Sequence, residues 1–245
     1  MNDKLQQIDT LLGELNQYRA NENYRITEAL EIEYTYDSNR IEGNTLTLHE
    51  TDMVVNKGIT IAGKGLKEHL EAINHKEAID FIKNIAQKKE PISERVLLDI
   101  HAIVLHSIDK DNAGKYRRVP VIISGSKHIP PQPYLLQPQM DELFQWYEAN
   151  KDSMHPVVLA AQMHEKQVSV HPFIDGNGRT ARLLMNLILM QHGYPIANIK
   201  GDNETRRRYY ETLEEASSGD NSAFLEFIED VVIQSLTYYL KIIRG

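Results

Sequence analysis

Apolar residues return every three or four positions through Leu5, Ile8, Leu11, Leu12 and Leu15, and again through Leu70, Ile73, Ala78, Ile79 and Ile82. That is the period of one buried helical face. The same period runs through ISERVLLDIHAIVLHSI, QPQMDELFQWYEAN, HPVVLAAQMHEKQVSV, GRTARLLMNLILMQHG, ETRRRYYETLEEASS and NSAFLEFIEDVVIQSLTYYLKII. Start and stop residues agree with it: Ser93 with Glu94 at one start, Pro156 at another, and Gly193 before Pro195 at an end. One stretch departs from the period. In GKYRRVPVIISGSKHIPPQP, Val119, Val121 and Ile123 alternate, Ser124, Gly125 and Ser126 read as a turn, and Pro130 and Pro131 close the pattern. These are the marks of a short β-hairpin. No repeat or flexible linker divides the chain, so the expected fold is all-α, a single helical domain with one hairpin and an N-terminal helical extension packed on it.

Composition narrows the chemistry. The 245 residues, 41% of them hydrophobic, are enough for a buried core. Without cysteine the chain has no disulfide, thiolate metal site or thiol nucleophile. A net charge of -8 gives no broad footprint for nucleic acid, although a local basic pocket remains open to a nucleotide. No apolar run reaches the roughly 18 residues of a membrane span, and the amphipathic start MNDKLQQIDTLLGELNQY lacks the apolar centre of a signal peptide. A cytoplasmic protein with no nucleic-acid or membrane partner is expected.

The densest chemistry lies in HPFIDGNGRTARLLMNLILM, His171 to Met190. Gly176, Gly178 and Ala181 formally satisfy a dinucleotide G-x-G-x-x-[GA] fingerprint, but a helical pattern stands where its strand should be. A Walker loop is absent, and His164-Glu165 lacks the second zinc-protease histidine because residue 168 is Val168. What the segment can form is an anion nest: Gly176 and Gly178 free the backbone amides at a helix N-terminus, the natural seat of a phosphate. Arg179 and Arg182, three apart on that helix, reach over it with bidentate donors. Asp175 beside the nest would repel phosphate unless a hard cation such as magnesium stood between them. His171 is the general-base candidate, with Pro172 and Phe173 anchoring the loop. Singly, each residue also fits an ordinary interhelical turn or a solvated face; together they are the parts for phosphoryl or nucleotidyl transfer.

His171 to Arg182, HPFIDGNGRTAR, resembles at every specified position the H-P-F-x-x-G-N-G-R-x-x-R signature of the Fic (filamentation induced by cAMP) family of protein adenylyltransferases. Upstream, SNRIEGN resembles the family's inhibitory [ST]-x-x-x-E-[GN] motif through Ser38, Glu42 and Gly43, although these residues also read as a helix end. The resemblance implies a Fic-type helical bundle with a flap hairpin and an inhibitory helix. It divides the chain into an extension over 1–90 carrying the motif at 38–43, a catalytic domain over 91–228, and a packed C-terminal helix over 229–245. It implies ATP as substrate, its phosphates on Gly176, Asn177 and Gly178, Mg2+ on Asp175, and Arg179 and Arg182 neutralising the phosphate chain. His171 would take the proton of a protein Ser, Thr or Tyr hydroxyl as AMP is transferred, and Glu42 would inhibit by occupying Arg182. Ser124, Gly125 and Ser126 of the flap, with Tyr209 and Tyr210, would be the further nucleotide contacts that the resemblance implies. Where some relatives have an asparagine, only Ser217 or Ser218 is available.

The flap edge would present the target segment, by main-chain pairing with little sequence preference. Self-modification and homo-oligomers stay open as partners. Removal of AMP from a modified protein and a non-catalytic nucleotide- or phosphopeptide-binding module are the alternatives; a kinase-like relative would carry lysine in place of Gly178.

Overall fold

The computed structural model describes residues 3–244. Ten α-helices form among them: α1 (Asp3–Tyr18), α2 (Tyr24–Ile41), α3 (Leu48–Lys57), α4 (Leu66–Lys88), α5 (Glu94–Val104), α6 (Leu136–Asn150), α7 (Pro156–Val170), α8 (Asn177–Gln191), α9 (Asn203–Ser217) and α10 (Ser222–Arg244). Their starts have local causes. The Asn23 side chain accepts from the backbone of Arg25 and Ile26, Thr47 and Glu50 close a capping box, and Asp202 accepts from Glu204 and Thr205. Each satisfies amides that a helix start leaves open.

Helix α8 is buried on nearly every side from Asn177 to Leu189. A helix enclosed all round needs neighbours all round, and α7, α4 and α5 supply them, with α10 packed across α7, α9 and α1. One hydrophobic core runs from Leu5, Ile8 and Leu15 to Ile243, so the N-terminal helix is part of it. The expected division at 228/229 falls inside α10, which runs unbroken from Ser222. The outer ends of the expected first and last segments, residues 1, 2 and 245, lie outside the described residues. Helix α2 is seated through Asp37, which accepts from Gly201 N (2.9 Å), Asn198 Nδ2 (2.7 Å) and Lys200 Nζ (3.2 Å).

The expected hairpin is not formed: no strand occurs among the described residues. An isolated two-stranded ribbon is marginal in water, and Pro120, Pro130 and Pro131 each remove a ladder donor. A side chain replaces the ladder. Buried Arg117 donates through Nη1 to the Val119 carbonyl (3.1 Å) and through Nη2 to the Pro131 carbonyl (2.6 Å), bridging the two legs. The tip is a turn closed by Ser126 N donating to Ile123 O (3.1 Å), with Gly125 at φ 82°.

Candidate functional site

Helix α7 ends at His171, held in the left-handed region at φ 49°, and α8 starts after Gly176 at φ 80°. The six residues between the helices, 171–176, are over-determined. Asn177 accepts from Phe173 N (3.0 Å) and donates to Phe173 O (2.9 Å). Phe173 is fully buried and stacks on His101 with centroids 3.6 Å apart and planes 8° from parallel. Gly114 N donates to His101 Nδ1 (3.0 Å), so the ring proton sits on Nε2 and is donated to the Asp175 carbonyl (3.0 Å). Burial pushes His101 down to about 4, which keeps that tautomer neutral.

Two buried guanidinium groups stand over this loop. Arg179 lies 3.2 Å from Asp175 Oδ1 and 3.4 Å from Glu71 Oε1. Arg182 donates through Nε to Ser38 Oγ (3.0 Å) and through Nη2 to the Ser38 carbonyl (2.9 Å) and Glu42 Oε1 (2.7 Å). Burial alone would depress Arg182, but Glu42, with Tyr209 and Tyr34 beside it, raises the guanidinium above its ordinary value. Burial likewise favours a neutral Asp175, yet Arg179 and Lys67 beside it hold the carboxylate below its usual range. For His171 burial dominates and Arg117 adds to it, lowering the imidazole to about 4 against the opposing Val168 carbonyl and Glu42. His171 Nδ1 is enclosed, which leaves Nε2 to accept a proton.

The structure thus gathers a neutral imidazole, glycine-lined amides and two buried cations, with Glu71 and Asp175 beside Arg179 and Glu42, distant in sequence, on Arg182. A family model described as the Fic/DOC family matches residues 91–189. Fic-1 from C. elegans is 32% identical, with 97% of this chain and 71% of that chain covered at a TM-score of 0.86. The chain belongs to the Fic family.

A Fic domain containing signaling protein from Bacteroides thetaiotaomicron matches at 29% identity and a TM-score of 0.88, covering 99% of this chain and 97% of its own. The protein adenylyltransferase Fic of Nematostella vectensis is 39% identical over 210 residues, 85% of this chain and 48% of that protein; that of Culex quinquefasciatus is 39% identical over 211 residues, covering 85% and 41%. The Fic chain therefore spans about half the length of the curated relatives it matches.

Within this Fic site, Ser38 and Glu42 come together with Arg182 and Gly178 as a cluster, although more than a hundred residues separate them in sequence, while Gly43 forms the exposed turn beside it. A Cβ on Gly178 would run into Glu42 Oε1, so the bare glycine is what leaves room for that carboxylate. Tyr209 does not face open space. It is buried behind Arg182, accepts from its Nη1 (3.3 Å) and donates to His164 Nε2 (3.1 Å). Tyr210 is on the surface, with its hydroxyl donated to the Ile41 carbonyl (3.2 Å). Ser217 and Ser218 both donate back to the Glu214 carbonyl. Ser124 and Gly125 are exposed at the flap tip, while Ser126 Oγ bonds the Glu214 carboxylate, which also accepts from Lys127 N (2.8 Å).

Five positioning groups escaped the sequence reading: His101, His164, Glu71, Arg117 and Glu214. His101 did carry a signal, a polar residue beside Ile100, Ala102, Ile103 and Val104, whereas His164 stands among Gln162, Glu165, Lys166 and Gln167; both are fully buried. For Arg117, Glu71 and Glu214 nothing local distinguishes them from solvated charges. Among the described residues no group of three acidic or histidine side chains gathers to hold a metal. Asp175 alone, half-buried with one oxygen toward Lys67 (3.4 Å), suits a hard cation that takes its remaining ligands from phosphate and water.

Proposed function

We propose that the chain transfers AMP from ATP to a serine, threonine or tyrosine hydroxyl of a protein and that Glu42 restrains the reaction. The observation that carries the reading is Arg182: a buried guanidinium at the mouth of an anion nest, with the carboxylate of Glu42, just past α2, in the seat a phosphate would take. His171, neutral at working pH, would accept the hydroxyl proton at Nε2 as that oxygen attacks the α-phosphorus and pyrophosphate leaves. The amides of Gly176, Asn177 and Gly178 would hold the phosphates, and Arg179 and Arg182 would meet the charge that builds on them. Asp175 would hold a magnesium ion, which supplies charge neutralisation along the phosphate chain when bound. The flap would present the target segment, held open for pairing by Arg117 and Glu214. Relatives named protein adenylyltransferase support the transfer chemistry.

The test is incubation of the parent and Glu42→Gly with ATP labelled on the α-phosphate and with magnesium. Label is expected on protein, more strongly with the variant and lost when His171→Ala is added. No label with Glu42→Gly would end the transferase reading.

A further inference from the structure

Helix α4 joins the two halves of the site through one residue. Glu71 is mostly buried, and its two oxygens point in different directions. Oε1 lies 3.4 Å from Arg179 Nη1, the guanidinium of the phosphate loop. Oε2 accepts from Asn44 Nδ2 at 2.9 Å, and Asn44 is two residues past Glu42. The same Asn44 amide also donates to the Glu68 carbonyl (3.0 Å), while Asn44 Oδ1 accepts from Leu46 N (3.0 Å) and Asn44 N donates to the Asn39 carbonyl (3.1 Å). Asn39 completes the attachment by donating to the Glu71 carbonyl (3.3 Å). The turn that follows α2, with Gly43 at φ 96°, is thus fastened to α4 by the side chains of Asn39 and Asn44, with Thr45 N (2.8 Å) and Oγ1 (2.6 Å) donating to Glu68 Oε1 just beyond it.

We propose that Asn44 and Glu71 are positioning residues that set how firmly Glu42 occupies Arg182, and that Glu71 is the shared counter-ion through which the turn and Arg179 feel each other. The proposal rests on the reading of Glu42 as the group that excludes a phosphate. Its physical basis is direct. Glu42 is a half-exposed carboxylate at the C-terminal end of α2, and holding such a side chain in one rotamer costs entropy. The Asn44 clamp removes that freedom from the backbone beneath it. Glu71 meanwhile helps neutralise Arg179: among the described residues the buried guanidinium has Nε and Nη1 without a hydrogen-bond partner, and its other carboxylate is the more exposed Asp175.

The experiment is calorimetric titration of the full chain with the non-hydrolysable analogue AMP-PNP, in the parent and in Glu42→Gly. Asn44→Ala is expected to tighten AMP-PNP binding about tenfold in the parent and to change nothing in Glu42→Gly, where there is no carboxylate left to position. An equal change in both backgrounds, or none in the parent, overturns the proposal, because a merely structural residue would act on both alike. Asn44→Ser, which keeps an acceptor for Leu46 N but falls short of Glu71, carries the same expectation should the alanine variant fold poorly. Glu71→Gln separates the two contacts: its carbonyl still accepts from Asn44, so inhibition is retained, while the loss of charge beside Arg179 changes AMP-PNP affinity in Glu42→Gly as well. If Glu42→Gly binds AMP-PNP no better than the parent, the inhibitory reading itself falls, and that result is distinct from failure of the clamp.

Discussion

At Gly178 one missing carbon decides what the loop can hold. A Cβ there would meet Glu42 Oε1 and stand 3.0 Å from Arg182 Nη1, so it would fill the seat that the carboxylate occupies. The backbone at Gly178 is ordinary helix, and alanine is otherwise favourable in it. Gly178→Ala is therefore expected to differ from Glu42→Gly. Combined with Glu42→Gly it should weaken ATP binding by roughly tenfold, about 1.4 kcal/mol, because the seat is closed to phosphate as well; titration calorimetry reads this, and undiminished affinity would mean that phosphate sits elsewhere. His171 offers a second residue-level outcome. Its pKa is lowered to about 4, first by burial and then by Arg117, so the base is already neutral well below pH 6.5. In Glu42→Gly the acid limb of kcat/KM should fall below pH 6, since that limb reports the free enzyme and removing the negative Glu42 cannot raise the imidazole. An acid limb centred at 6.5 or above would point to another base.

At the scale of elements, the flap is the least regular part of the site and depends on single side chains. Arg117 donates to the carbonyls of Val119, Pro131 and His171 (2.9 Å), so it ties both flap legs to the end of α7. Arg117→Ala would strand three acceptors and is expected to cost about 2–4 kcal/mol, measured by urea unfolding, with faster amide exchange over residues 119–131. Glu214→Gln at the tip should leave global stability nearly unchanged while weakening capture of a target protein more than of ATP. These anchors mark where sequence stops being informative. Helix α4 was legible because burial repeats with its period, α8 because an apolar run follows the glycines, and the loop because glycine, histidine and arginine crowd within a few residues. The alternation of Val119, Val121 and Ile123 was also real, but alternation only shows that a segment is extended. Whether it pairs depends on a partner strand, and here the partner is a guanidinium. Tyr209 and Tyr210 show the same limit: adjacent in sequence and alike in chemistry, they divide into a buried strut for Arg182 and a surface lid on Ile41 because one helical step turns 100°.

For the whole molecule, the histidines that frame α8 bind its stability to pH. His75 on α4, His101 on α5 and His164 on α7 are each almost wholly enclosed, and burial drives all three down, to about 4 for His101 and about 3 for His164. His171 follows them at about 4. In the unfolded chain these groups titrate near 6.5. Between pH 6.5 and about 4 the unfolded state therefore binds protons that the folded state refuses, and stability must fall as pH falls through that window. The folded protein holds this contribution in full above pH 6.5. Each group is worth at most about 2 kcal/mol between pH 6.5 and 5, at 1.36 kcal/mol per pKa unit. Carboxylates such as Asp175, lowered in the folded state, add their own loss only below their unfolded value near 4. The urea midpoint should accordingly be flat above pH 7 and drop steeply by pH 5, before the acidic residues begin to titrate. His164→Phe removes one of the four sites and should make that drop shallower, even though Tyr209 loses its acceptor and the variant starts from lower stability at pH 7.5. An unchanged slope between pH 7.5 and 5 would mean that His164 does not stay neutral in the core.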